Sequence, residues 1–93
     1  MMNEENIIYR VKIMEIYLDT LNTALKNCPE AFIYDENIKA MLVRLTDYYE
    51  NGQWMKDYEA DGRGELPPGL KRGVLSEDAV YDLLSETDNL KSE

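Results

Sequence analysis

Apolar residues recur along the first third of the chain at alternating intervals of four and three: Ile7, Val11, Met14, Leu18, Leu21 and Leu25. Such a stripe marks one face of a helix, and Ile8, Ile16, Tyr17 and Ala24 widen it. No Gly or Pro interrupts it before Cys28-Pro29, which predicts a helix from about Glu4 to Asn27, roughly 35 Å long. A helix of that length on so small a chain is expected to protrude or to pack on a second chain. The spacing suits a bundle or a dimeric seam.

The next pattern is shorter. Residues 29 to 35, PEAFIYD, read as a connection holding a short turn, with Phe32 and Ile33 as anchors. Asp35 is placed to cap a second helix to about Glu50, whose apolar face takes Ile38, Met41 or Leu42, Leu45, and Tyr48 or Tyr49. Asn51-Gly52 is a stop signal, because both residues tolerate the left-handed conformation that closes helices. A third helix, about Gln53 to Ala60, carries Trp54 and Tyr58 one turn apart.

Composition then shifts. Residues 62 to 73 hold four of the five glycines and two of the three prolines, and Leu66-Pro67-Pro68 is barred from a helix interior. A loop of this length in a small domain is usually functional or ordered by its own contacts; Leu66, Leu70 and Val74 are the expected anchors. Ser76 then caps a final helix, with Glu77 and Asp78 at its positive end and Leu75 stapled onto Val80. Val80, Leu83 and Leu84 face the core, and order is expected to fade over residues 89–93.

With 93 residues, 44% apolar and 31% charged, the chain reads as one soluble globular domain. No apolar run is long enough to span a bilayer, and the acidic start MMNEEN is unlike a basic signal peptide. The single Cys28 cannot form an internal disulfide, which agrees with a reducing, cytoplasmic setting. Nineteen acidic against ten basic residues give a net charge of −9, which disfavours binding to nucleic-acid backbones. The absence of histidine removes the commonest general base, the commonest metal ligand and every His-activated nucleophile.

The stretch DYEADGRGE, residues 57 to 65, crowds four acids around two glycines. Asp57, Glu59, Asp61 and Gly62 fit D-x-E-x-D-G, and Glu65 falls at the ninth position of a calcium loop. The bidentate glutamate such a loop needs at position twelve is replaced by Pro68, position eight is Gly64, and no helix follows directly. The structural alternative has Asp57 and Asp61 as a like-charge pair at the negative end of a helix dipole, which calls for a compensating partner. Arg63, Lys71 and Arg72 follow in the loop. The expectation is that this basic loop folds back over the acidic helix end, so that replacing Lys71 and Arg72 with Glu lowers the melting temperature.

Tyr48, Tyr49, Trp54, Tyr58 and Tyr81 concentrate aromatic area in a short span. They form a partner-binding surface, or else core rings whose hydroxyls reach the surface. Cys28 has no local base to activate it and reads as inert. The sequence contains no glycine-rich phosphate loop, no CxxC and no nucleophile elbow.

The run WMKDYEADGRGELPPGLKRGVLSEDAVYDLL, residues 54 to 84, is similar to the C-terminal signature of a small bacterial family, domain of unknown function 4298. That signature has a W-x-x-DYEAD segment, a G-E-LP linker, K-R-G-V-LSED and a closing helix; the preceding YYENGQW is also similar. The resemblance implies a bacterial, cytoplasmic protein and no assigned activity.

These readings converge on an all-α fold: a small bundle of three to four helices with a long N-terminal helix and an ordered Pro/Gly-rich loop before the last one. The expected function is a non-enzymatic protein-interaction or regulatory module without a cofactor. Its candidate surface is Trp54, Asp57, Tyr58, Asp61, Lys71 and Arg72, its partner is a protein, and the N-terminal helix leaves room for a homodimer. The alternative is a divalent-metal-binding protein or metal-dependent hydrolase using Asp57, Glu59, Asp61 and Glu65. A weaker alternative is an acidic nucleic-acid mimic.

Overall fold

A computed structural model describes residues 4–91, with side chains from 7 to 90. The elements in order are α1 (Glu4–Asn27), α2 (Ala31–Tyr34), α3 (Glu36–Glu50), α4 (Gln53–Gly62), a 3-10 turn (Gly73–Leu75) and α5 (Ala79–Lys91), with no strand among the described residues. The fold is all-α, as the periodicity predicted.

The predicted stripe is the inner face of α1. Val11, Leu18 and Leu21 are buried, while Ile7, Ile8, Met14, Ala24 and Leu25 pack against the core. Ile16 departs from the prediction and lies 60% exposed, because it falls outside the arc that the four-and-three spacing defines. The length of α1 is answered within the chain. At 24 residues it is about 36 Å long, nearly the 41 Å long axis of the molecule, and α2, α3, α5 and the 3-10 turn all pack on it.

The Asp35 carboxylate accepts from the N–H groups of Asn37 and Ile38, at 2.9 and 3.2 Å, and so starts α3 as expected. In α2 Phe32 is buried and Ala31 packs against the core; Ile33, the other predicted anchor, is 51% exposed because the next residue of a helix points about 100° away. Along α3 the core takes Ile38, Leu42, Leu45 and Tyr48, leaving Met41 and Tyr49 at its margin. α3 runs antiparallel to α1: Arg44 donates to Tyr17, while Tyr48, further along, reaches the carboxylate that Arg10 holds. At the α3–α4 corner Gly52 alone takes the left-handed conformation, at φ +92°; Asn51 stays at −96°.

The Pro/Gly segment is ordered by its own contacts. Leu66, Val74 and Leu75 are buried, and Leu70 packs partly on the core. Ser76 Oγ accepts from the Ala79 N–H at 3.2 Å, which caps α5, and Val80 and Leu83 enter the core beside Leu75. α5 remains helical through Lys91, past the predicted fraying point; residues 92–93 lie outside the described residues.

Candidate functional site

Asp57 occupies the second turn of α4, on the same face as the buried Trp54 and Ala60. Its carboxylate is fully buried and meets three donors. Arg10 of α1 gives Nε–H to Oδ2 at 2.9 Å and Nη2–H to Oδ1 at 2.6 Å, and the Tyr48 hydroxyl gives a third bond to Oδ2 at 2.8 Å. This two-pronged guanidinium–carboxylate geometry is the strongest form of a charged hydrogen bond. It holds the Arg10 guanidinium above its ordinary pKa, and burial followed by the Asp57 carboxylate pushes the Tyr48 phenol far up. Three helices, α1, α3 and α4, thus meet on one carboxylate. Asp57 is therefore corrected from surface candidate to interior residue, and its partner is Arg10 rather than the loop bases.

The predicted fold-back of the basic loop resolves onto a single residue. Arg72 pairs with Asp61 through Nη1, donates from Nη2 to the Pro67 carbonyl and from Nε to the Leu70 carbonyl at 3.2 Å. Arg63 instead pairs with its neighbour Glu65 at 2.7 Å, holding that exposed carboxylate below its usual range. Lys71 is exposed and makes no ion pair among the described residues. The two basic positions should therefore separate on mutation. Arg72→Ala is expected to cost about 1–3 kcal/mol in urea unfolding, from its charge-assisted bonds. Lys71→Ala should change stability by no more than about 0.5 kcal/mol.

The carboxylates proposed as an alternative metal set do not converge. Asp57 is consumed by Arg10 and Tyr48, Asp61 by Arg72 and Glu65 by Arg63, and Glu59 is exposed. Among the described residues no three His, Cys, Asp or Glu side chains are grouped to hold an ion.

The aromatic residues divide between interior and rim. Trp54 is 6% exposed, stacks on Tyr58 with centroids 4.9 Å apart, and meets Tyr49 edge-on at 5.2 Å. Its indole N–H donates to the Val74 carbonyl at 2.7 Å. Trp54 is thus core, a second correction to the surface candidates. Tyr58 is half-buried and sends its hydroxyl to Glu77 at 2.6 Å, which raises the phenol pKa. Tyr81 remains 59% exposed.

Val74 receives the opposite bond from α1. The buried Glu15 accepts the Val74 N–H at 2.8 Å, so both peptide groups of Val74, and its fully buried side chain, are engaged by different helices. The approach is tight at the preceding residue: a Cβ on Gly73 would stand 3.0 Å from Glu15 Oε2, so that carboxylate would have to give by a few tenths of an ångström. Gly73→Ala is accordingly expected to displace Glu15, strand the Val74 N–H and cost about 1–3 kcal/mol. Gly69→Ala, which meets nothing within 4 Å, should be close to neutral. Thermal melts of Gly73→Ala alone and on a Glu15→Ala background check the cause, because its cost should largely vanish once Glu15 is gone.

Arg10 and Glu15 were not among the residues predicted to form a site, and Tyr48 was read only as one of the aromatic cluster. The available signal lies in the α1 stripe. Arg10 falls between Ile7 and Met14 at spacings of three and four, and Glu15 between Val11 and Leu18 at four and three. Both charges therefore sit on the apolar face, where an ionised side chain needs a partner.

Some large apolar side chains remain at the surface. Ile16 lies at a groove of about 310 Å³ between α1 and the 69–71 loop, together with Lys12, Asp19, Leu70 and Lys71. Tyr9, Val43 and Met55 are also exposed. No described helix is long and apolar enough to cross a membrane.

No curated protein and no solved structure matches the chain. A family model described as a domain of unknown function (DUF4298) matches residues 11–93, a span that takes in most of α1, Asp57 and Tyr48 but not their partner Arg10, the Val74 lock and the whole of the 54–84 signature. The chain belongs to the DUF4298 family.

Proposed function

We propose that the protein is a non-enzymatic interaction or regulatory module of the bacterial cytoplasm, and that its contact face is the groove between α1 and the 69–71 loop. The observation that carries this reading is Ile16. It is 60% exposed and lines that groove together with Leu70, Lys12 and Lys71, and neither lysine makes an ion pair among the described residues. An apolar floor with a polar rim is the general anatomy of a protein contact. The polar side chains of the 57–74 segment support the same division of labour, since Asp57, Asp61 and Arg72 are occupied in holding the fold.

Affinity capture with the wild-type protein and with Ile16→Glu, read by quantitative mass spectrometry in a native host lysate, tests the reading. A protein enriched by the wild type and lost with Ile16→Glu supports it. An identical set of recovered proteins from both baits overturns the assignment of this face. A homodimer through α1 would draw on the same face, with Tyr9 and Ile16 at its centre; sedimentation equilibrium of the wild type against Ile16→Glu reads it directly.

A further inference from the structure

A second groove, of about 410 Å³, lies between α1 and α3 and is closed by the start of α4. On a chain with only ten basic residues it gathers two of its arginines, Arg10 and Arg44, with Tyr17 and Gln53. Arg44 makes no ion pair among the described residues, and its Nη1 donates to the Tyr17 hydroxyl at 3.1 Å. A phenol that accepts there keeps its own O–H to donate. Arg10 spends Nε and Nη2 on Asp57; its Nη1 makes no hydrogen bond among the described residues, and the buried carboxylate holds the guanidinium plane in place. The carboxylate lining the groove is Asp47, which accepts from the Asn51 amide.

We infer that this groove is a binding site for a phosphate monoester, with Arg44 supplying the main charge and Tyr17, Arg10 Nη1 and the Gln53 amide supplying oriented donors. Donors arriving from three helices suit a tetrahedral oxyanion. A planar carboxylate is satisfied by a single guanidinium fork such as that of Arg44, and would leave the donors of Arg10 and Gln53 unused. Half-buried Met14 lies in the same groove and gives the attached organic group an apolar surface. The net charge of −9 opposes this at long range, where it is screened beyond about 8–10 Å, and Asp47 opposes it within the groove. The inference is independent of the proposed protein contact at Ile16.

The test is titration of the full chain with phenyl phosphate, inorganic phosphate and acetate, followed by amide chemical shifts and calorimetry. Saturable binding of phenyl phosphate is expected, tighter than inorganic phosphate and much tighter than acetate, with the largest shifts at Tyr17, Arg44 and Gln53. Arg44→Ala should weaken it about tenfold or more, Arg44→Lys less, and Asp47→Asn should tighten it. Both exposed positions leave the core untouched, and a melt of each variant confirms the fold. No saturable binding, equal affinity for acetate, or an affinity indifferent to Arg44→Ala overturns the inference.

Discussion

Asp57→Ala should lower the melting temperature by at least about 12 °C, because removing one partner of a buried ion pair costs about 3–5 kcal/mol and each kcal/mol is worth about 4–8 °C in a domain of this size. Two effects set the magnitude. The Tyr48 hydroxyl loses its acceptor inside the core, and the Arg10 guanidinium keeps its charge with no carboxylate to meet it. The Arg10 side chain is 17% exposed, so water can reach part of it, and the lower end of the range is the better expectation. Asp57→Asn should cost less than Ala, since it preserves volume and can still accept from Tyr48. Replacing all three groups with apolar side chains of similar size (Arg10→Met, Tyr48→Phe, Asp57→Leu) should recover much of the loss, as such triads often tolerate a hydrophobic substitute. Differential scanning calorimetry of the three variants against the wild type gives this order directly.

The second large effect is expected at Trp54. Truncation to Ala should cost about 3–5 kcal/mol, the usual range for a buried aromatic, and in a domain of marginal stability it brings the chain close to unfolding at growth temperatures. Trp54→Phe separates packing from hydrogen bonding. It keeps a ring between Tyr49 and Tyr58 but removes the N–H that satisfies the Val74 carbonyl. That carbonyl lies in a fully buried residue, so its loss should cost about 1–3 kcal/mol by itself. Urea unfolding reads both values. Hydrogen exchange should show the 66–75 segment opening first in Trp54→Phe, because that segment is held by Val74.

The elements of this fold follow from local patterns that read correctly in the chain. α1 is bounded by the stripe from Ile7 to Leu25 and by Cys28-Pro29, α3 by the Asp35 cap, and the corner before α4 by Gly52. These features depend on residues within a few positions of one another. The locks do not. Arg10 and Asp57 are 47 residues apart, and Glu15 and Val74 are 59 apart, so no window of helical length contains both halves.

The loop pairing shows the same limit in milder form. Arg72 meets Asp61 only 11 residues away, and a basic partner for the acidic end of α4 was foreseeable from charge alone. Its assignment to Arg72 rather than Lys71 depends on the turn that Leu70 and Pro67 make around the guanidinium. Trp54 was ambiguous for another reason. A tryptophan on a short amphipathic helix serves equally well inside or at a contact, and only the carbonyl of Val74, 20 residues on, places it inside.

The acidic segment from Asp57 to Glu65 thus emerges as a fastening of the fold. Asp57 binds α4 to α1 and α3, and Asp61 binds it to the returning loop. The most direct measurement of this account is a double-mutant cycle on Arg10→Ala and Asp57→Ala, read by urea unfolding. The account predicts that the two mutations are strongly non-additive, with a coupling of about 1.5–3 kcal/mol. Costs that simply add, to within about 0.5 kcal/mol, would contradict it.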